Sequence, residues 1–135
     1  MKRERIHIRP VRTLDEYRRV EQLQRSVWRW SDLEVTPLSE LVVAQRIGGV
    51  VAGAFHDGKM IGFCMAVPAL DDGTTYYHSR MLGILPEYQN RGIGLRLKLF
   101  QRAVARRRGI RHIRWTFDPL QSRNACLNVV KLGCT

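Results

Sequence analysis

The stretch "LPEYQNRGIGLRLK", Leu85 to Lys98, decides how this chain is read. A proline and two glycines, Gly92 and Gly94, lead directly into helical apolar spacing. A helix N-terminus exposes unpaired N–H groups and carries roughly half a positive charge, so it attracts anions. A side chain at the closest approach would hold a phosphate away, and glycine removes it. The expectation is a backbone cradle for a diphosphate, with Arg91 and Arg96 nearby. The alternative is a glycine-bearing loop that merely turns. Two other phosphate loops fit poorly. No Gly-Lys-Ser/Thr triplet occurs, and a G-x-G-x-x-G fingerprint fails because Leu97 stands at its last position.

Working outward, "TYYHSRMLGIL" before this loop reads as a strand, and Ile93, Leu97, Phe100 and Val104 mark one face of the helix after it. Gly109 closes that helix, and "IRHIRWTFD", Ile110 to Asp118, is a further strand. The strand–helix–strand unit predicts a right-handed crossover between parallel strands. Upstream, Arg5 to Val11 alternates as a first strand. Thr13 caps a helix reaching about Trp28, with Glu16 completing a capping box. Pro37 opens a short second helix that stops at Gly48-Gly49. Asp57-Gly58 is a hairpin turn, and "DDGT" at Asp71 to Thr74 makes a second turn. "SRNACLNVVKLG" is a last helix capped by Ser122 or Asn124. The order is β-α-α-β-β-β-α-β-α: one mixed α/β domain over 1–135, a central mixed sheet flanked by helices.

Bulk properties set limits. The chain has 135 residues, 44% of them hydrophobic, enough for one core. Apolar runs fall short of the roughly 18 residues of a membrane span, and the charged N-terminus lacks a signal-peptide segment. Three cysteines without CxxC spacing, and no clustered histidines, argue against a disulfide framework or metal site and fit a cytoplasmic location. A net charge of +11 is consistent with an anionic partner, but no aromatic-rich basic ribbon of a single-strand binder is present.

Gln89, Gly92 and Gly94 in Q-x-x-G-x-G spacing, preceded by "PEY" and a strand, resemble the coenzyme A motif of the GNAT N-acetyltransferase superfamily. The element order is similar over essentially the whole chain, and "KLG" at Lys131 to Gly133 resembles the close of that family's helix after the fifth strand. The run Trp115 to Ala125 resembles a poorly characterised branch. The resemblance implies an acyl-CoA-dependent N-acyltransferase, with acetyl-CoA as co-substrate and an amine as acceptor. It implies that the loop Gln89, Asn90, Arg91, Gly92, Ile93, Gly94 and Leu95 binds the pyrophosphate. The strand residues Leu82, Gly83 and Ile84 would bind the pantetheine arm, with Gly83 at a bulge. Asn124 matches a coenzyme-contacting asparagine, though a plain helix cap explains it equally.

Acetyl transfer needs a deprotonated amine, a polarised thioester carbonyl and a stabilised thiolate. His78, in the fourth strand eleven residues before Gln89, is the candidate general base, because family members can carry a strand-borne glutamate at this spacing. The alternative is a strand histidine satisfied by hydrogen bonds. His56, His112 and Glu87 are weaker candidates. Where many relatives place an acid tyrosine this chain has Val129, which leaves that role unassigned; Cys126 or water could fill it.

The resemblance also implies two further strands beyond Thr135, so the sheet is expected to lack its C-terminal strands. The strand Ile110 to Asp118 would then offer an open edge to a second copy or a second chain. Two other functions compete with the enzyme: an acyl-CoA-binding module or truncated remnant without transfer, and a basic nucleic-acid-binding protein.

Overall fold

The computed structural model describes residues 5–115. Within them the order is β1 (Ile6–Pro10), α1 (Leu14–Trp28), α2 (Leu38–Arg46), β2 (Val50–His56), β3 (Lys59–Asp71), β4 (Thr74–Ile84), a 3-10 turn (Pro86–Tyr88), α3 (Ile93–Arg107) and β5 (Ile113–Trp115). The strands lie in the order β1-β2-β3-β4-β5, antiparallel except for the parallel β4–β5 pair. The expected parallel crossover is therefore present. The expected helix at Ser122 to Gly133, with Asn124, Cys126 and Val129, lies outside the described residues.

The two apolar faces of the sheet explain the layers. Tyr17, Val20 and Leu23 of α1 and Leu41 and Ala44 of α2 pack with Val51, Phe63, Met65 and Met81 on one face. Ile93, Leu97, Val104 and Ala105 of α3 pack with Ala52, Ile61, Cys64 and Tyr77 on the other. β2 is apolar at nearly every position because both its faces are covered.

Local chemistry sets the ends of the elements. Thr13 Oγ1 accepts the Glu16 N–H at 3.1 Å, as expected of a cap. Glu16 returns to the Arg12 N–H at 2.8 Å, and Arg9 grips both its carboxylate oxygens at 3.0 and 2.6 Å. That bidentate pair, with the Arg12 and Thr13 contacts, holds the Glu16 carboxyl down at about 2. α2 starts one residue later than a proline at the first helical position would place it. Pro37 is the N-cap, and Glu21 of α1 accepts the Leu38 N–H at 2.6 Å.

Three expectations change. β5 begins at Ile113 rather than Ile110, because the Ile110 N–H still bonds to Ala105 O at 2.9 Å around Gly109 at φ 74°. The buried face of α3 includes Lys98 and Gln101, while Phe100 is only partly covered. The bulge expected at Gly83 lies elsewhere. Met65 opposes Met81 but Ala66 opposes Ser79, which leaves Arg80 as the extra residue. Gly83 is glycine for another reason: a Cβ there would stand 3.2 Å from the Trp28 indole and 3.0 Å from the Phe63 ring.

Candidate functional site

The bulge at Arg80 reverses which way β4 presents its residues. Before it, Tyr77 and Ser79 are buried on the α3 side, Ser79 bonding to Gln101 of α3; after it, Leu82 and Ile84 are on that side and Met81 faces α1 and α2. The main chain reverses with them. The Tyr77 N–H points toward β5, bonding to His112 O at 3.0 Å, whereas the Leu85 N–H points back to Ile61 of β3 at 2.9 Å. In an antiparallel ladder alternate residues face the partner. Gly83 thus faces β3, and Leu82 and Ile84 turn their N–H and C=O groups outward. The β4–β5 pairing runs only from Tyr77 to Ser79, so this outward edge has no strand partner among the described residues.

The loop that follows is shaped by its glycine. Gln89 folds back, its amide donating to Ile84 O at 3.1 Å, which fastens the loop to the end of β4. Asn90 and Gly92 take positive φ, 64° and 78°. Gly92 is the N-cap of α3, so no side-chain oxygen closes the helix, and its first turn holds no acid. The first helical bond is Arg96 N–H to Gly92 O at 3.1 Å. The N–H groups of Ile93, Gly94 and Leu95 therefore have no partner among the described residues. A Cβ on Gly92 would meet nothing within 4 Å. Unpaired donors, an open approach and a strand edge without a strand partner leading to them fit an anion with an extended amide-bearing tail, which is the chemistry of coenzyme A.

Leu82, Ile84 and the turn from Gln89 to Leu95 thus come together at one end of β4. Ile93 contributes its N–H only, since its side chain is buried in the core. Arg91 is exposed with its guanidinium 5.3 Å from the Tyr88 ring. Arg96 does not turn to the cradle, because it donates to Ile6 O at 2.7 Å. Asn124 lies outside the described residues.

His78 stands farther along. It is half-buried, between Val67 of β3 and Arg114 of β5, and its ring has no hydrogen-bond partner among the described residues. Because Arg80 is the extra residue, His78 and Leu82 are three register steps apart along β3, Val67 to Cys64, or about 10 Å. Glu87 is exposed, as is His112.

Three groupings were not anticipated. His56 sits beside the loop, its Nδ1 2.8 Å from the Tyr88 hydroxyl. Trp28, the last residue of α1, lies over Gly83 and is stacked by Trp30 at 4.6 Å. Between β4 and α3, Lys98 Nζ donates to Ser79 Oγ at 3.1 Å and lies 4.5 Å over the Trp115 ring. In that cluster the Gln101 Nε2 and Trp115 Nε1 atoms are buried without a described partner. Nearby, burial pushes the Cys64 thiol up to about 12 despite Lys98 and Gln101, so it is no nucleophile near neutrality. The only sequence signal for this cluster was polar residues inside an apolar helical pattern.

The profile of the acetyltransferase (GNAT) family matches residues 5–133. No curated protein sequence matches the chain. Solved structures share the fold. An aminoglycoside N-acetyltransferase, AAC(6')-Iy, in complex with CoA is 17% identical with a TM-score of 0.78, covering 99% of this chain and 90% of that one. The PaiA N-acetyltransferase from Thermoplasma acidophilum in complex with coenzyme A is 18% identical at 0.74, covering 91% and 86%. An aminoglycoside acetyltransferase from an uncultured soil metagenomic sample in complex with sisomicin is 14% identical at 0.75, covering 90% and 82%.

Proposed function

Because the chain belongs to the acetyltransferase (GNAT) family, we propose that it is an acyl-CoA-dependent N-acyltransferase that moves acetyl from acetyl-CoA to an amine. The observation that carries this is the meeting of two sets of main-chain groups without a described main-chain partner: the Ile93, Gly94 and Leu95 donors, and the outward Leu82 N–H and C=O with the Ile84 N–H, the Ile84 carbonyl being taken by the Gln89 amide. Acetyl-CoA supplies an activated acyl group on a thiol whose ordinary pKa is about 8.5. The α3 donors hold the diphosphate. Leu82 and Ile84 hold the arm as a short added strand would be held. The Leu82 N–H is the donor for the acyl carbonyl, where charge accumulates during transfer.

The amine nitrogen forms its bond to the acyl carbon as the carbon–sulfur bond breaks. The amine loses one proton and the departing sulfur gains one, so amine and thioester become amide and thiol. His78 takes the amine proton through water, because the strand spacing puts it beyond direct reach of Leu82. Fold neighbours act with aminoglycosides, which supports an amine acceptor as a class.

A second reading, a coenzyme-binding module without transfer, draws on the same distance and on the absence of any described group orienting the His78 ring. Titration with coenzyme A, followed by thiol release from acetyl-CoA across an amine panel, separates the two. Binding with amine-dependent release supports transfer. Binding without release from any amine supports the module, and no binding removes both.

A further inference from the structure

Trp28 and Trp30 form a wall beside the proposed transfer point. Trp28 lies on β4 because residue 83 has no side chain, its ring carbons 3.2 and 3.3 Å from where that Cβ would be. Leu82, the proposed donor to the acyl carbonyl, is the adjacent residue. Behind Trp28 the Phe63 ring meets it edge-on at 5.6 Å and 78°. In front, Arg29 takes φ 55° at the end of α1 and turns the chain back, so that Trp30 stacks on Trp28 with 32° between the rings. Both indoles are partly buried and pack against the core on the α1/α2 side of the sheet, each leaving part of its ring uncovered. Neither indole N–H is buried without a partner or engaged by a described residue.

The segment carrying Trp30 is held at both ends. Gln24, fully buried, exchanges two hydrogen bonds with Thr36 at 2.9 and 2.7 Å, and Arg25 pairs with Asp32 at 2.9 Å. Between those ties Leu33 is 99% exposed. The uncovered part of two indoles held by the core and by a pinned loop offers a flat surface to an apolar planar group at little ordering cost. Charge narrows the choice. A chain of net charge +11 repels a polycationic amino sugar far more than an amine carrying one charge.

We propose that the Trp28–Trp30 wall selects the acceptor, and that the acceptor is a primary amine carried on an aromatic or heteroaromatic ring. This rests on the transfer reading above. The test uses the full chain with acetyl-CoA and three acceptors: phenethylamine, hexylamine and kanamycin. The expected order of kcat/KM is phenethylamine first by about tenfold or more over hexylamine, equivalent to about 1.4 kcal/mol, with kanamycin last. Trp30→Ala should raise the phenethylamine KM about tenfold, leave kcat within about threefold and leave coenzyme affinity unchanged, while Trp30→Phe keeps the preference. Binding is read separately from turnover, as movement of the Trp28 and Trp30 indole N–H signals on adding phenethylamine to the coenzyme A-mixed protein. Equal use of hexylamine, kanamycin used first, or an unchanged KM in Trp30→Ala overturns the proposal. If no amine is acetylated the transfer reading fails, and the indole signals still decide the wall: signals that stay still overturn it.

Discussion

Replacing Gly92 by alanine separates what the proposed coenzyme loop costs the fold from what it does for a ligand. Gly92 sits at φ 78°, and an added Cβ would touch nothing of the protein within 4 Å. The stability penalty is therefore the left-handed conformation alone, about 1 kcal/mol, or a fall in Tm of about 2–5 °C for a chain of this size. Gly109 provides the control. It lies at the other end of α3 with φ 74° and equally open surroundings, so Gly109→Ala should lose the same stability. Coenzyme affinity should part the two. Tilting the Ile93, Gly94 and Leu95 donors, or standing a methyl group beside them, weakens one or two charge-assisted hydrogen bonds of about 1.5–3 kcal/mol each. Gly92→Ala should thus bind coenzyme A about 30-fold or more weakly, and Gly109→Ala as wild type. Calorimetric titration alongside thermal melts reads both quantities. Equal coenzyme affinity in the two folded variants would refute the cradle.

Two further outcomes follow from other parts of the molecule. His78→Gln should lower kcat about a hundredfold, remove one ionisation from the pH–rate profile and leave coenzyme affinity unchanged; a profile that keeps its shape takes His78 out of the reaction. Glu16→Gln should destabilise the fold at pH 7 by about 1–2 kcal/mol, allowing for partial solvent screening of the Arg9 pair. Because the folded carboxyl is held down at about 2 from 4.5, its contribution is complete above pH 4.5 and is lost as pH falls toward 2. Urea melts of wild type and variant should converge over that window, and a constant gap between them contradicts the assignment.

The amino-acid sequence carried most of the framework because its signals are local. Thr13 with Glu16, Asp57-Gly58 and the positive-φ Gly92 each act through a few neighbouring residues, and each appears where its chemistry requires. The bulge in β4 was not legible. Arg80 needs no positive φ to bulge, so no glycine marked it, and the glycine that was present, Gly83, answers to the Trp28 ring instead. That indole arrives from a helix more than fifty residues earlier, a contact that periodicity cannot show. Which of Leu82, Gly83 and Ile84 faces outward depends on the bulge, so the sequence does not separate the three, and only two present their main chain. Likewise Lys98 and Gln101 look solvent-facing in the sequence, and they are buried because Ser79 and Trp115 receive the lysine.

Backbone amide spectra of the labelled protein during a coenzyme A titration test the central claim most directly. The account predicts that the largest shifts fall on Leu82, Ile84 and the run from Gly92 to Leu95, saturating together at one stoichiometric site. Shifts confined to the arginine-rich run from Arg102 in α3 to Arg111 beyond it, and fading with added salt, would show only charge attraction. That result would contradict the site.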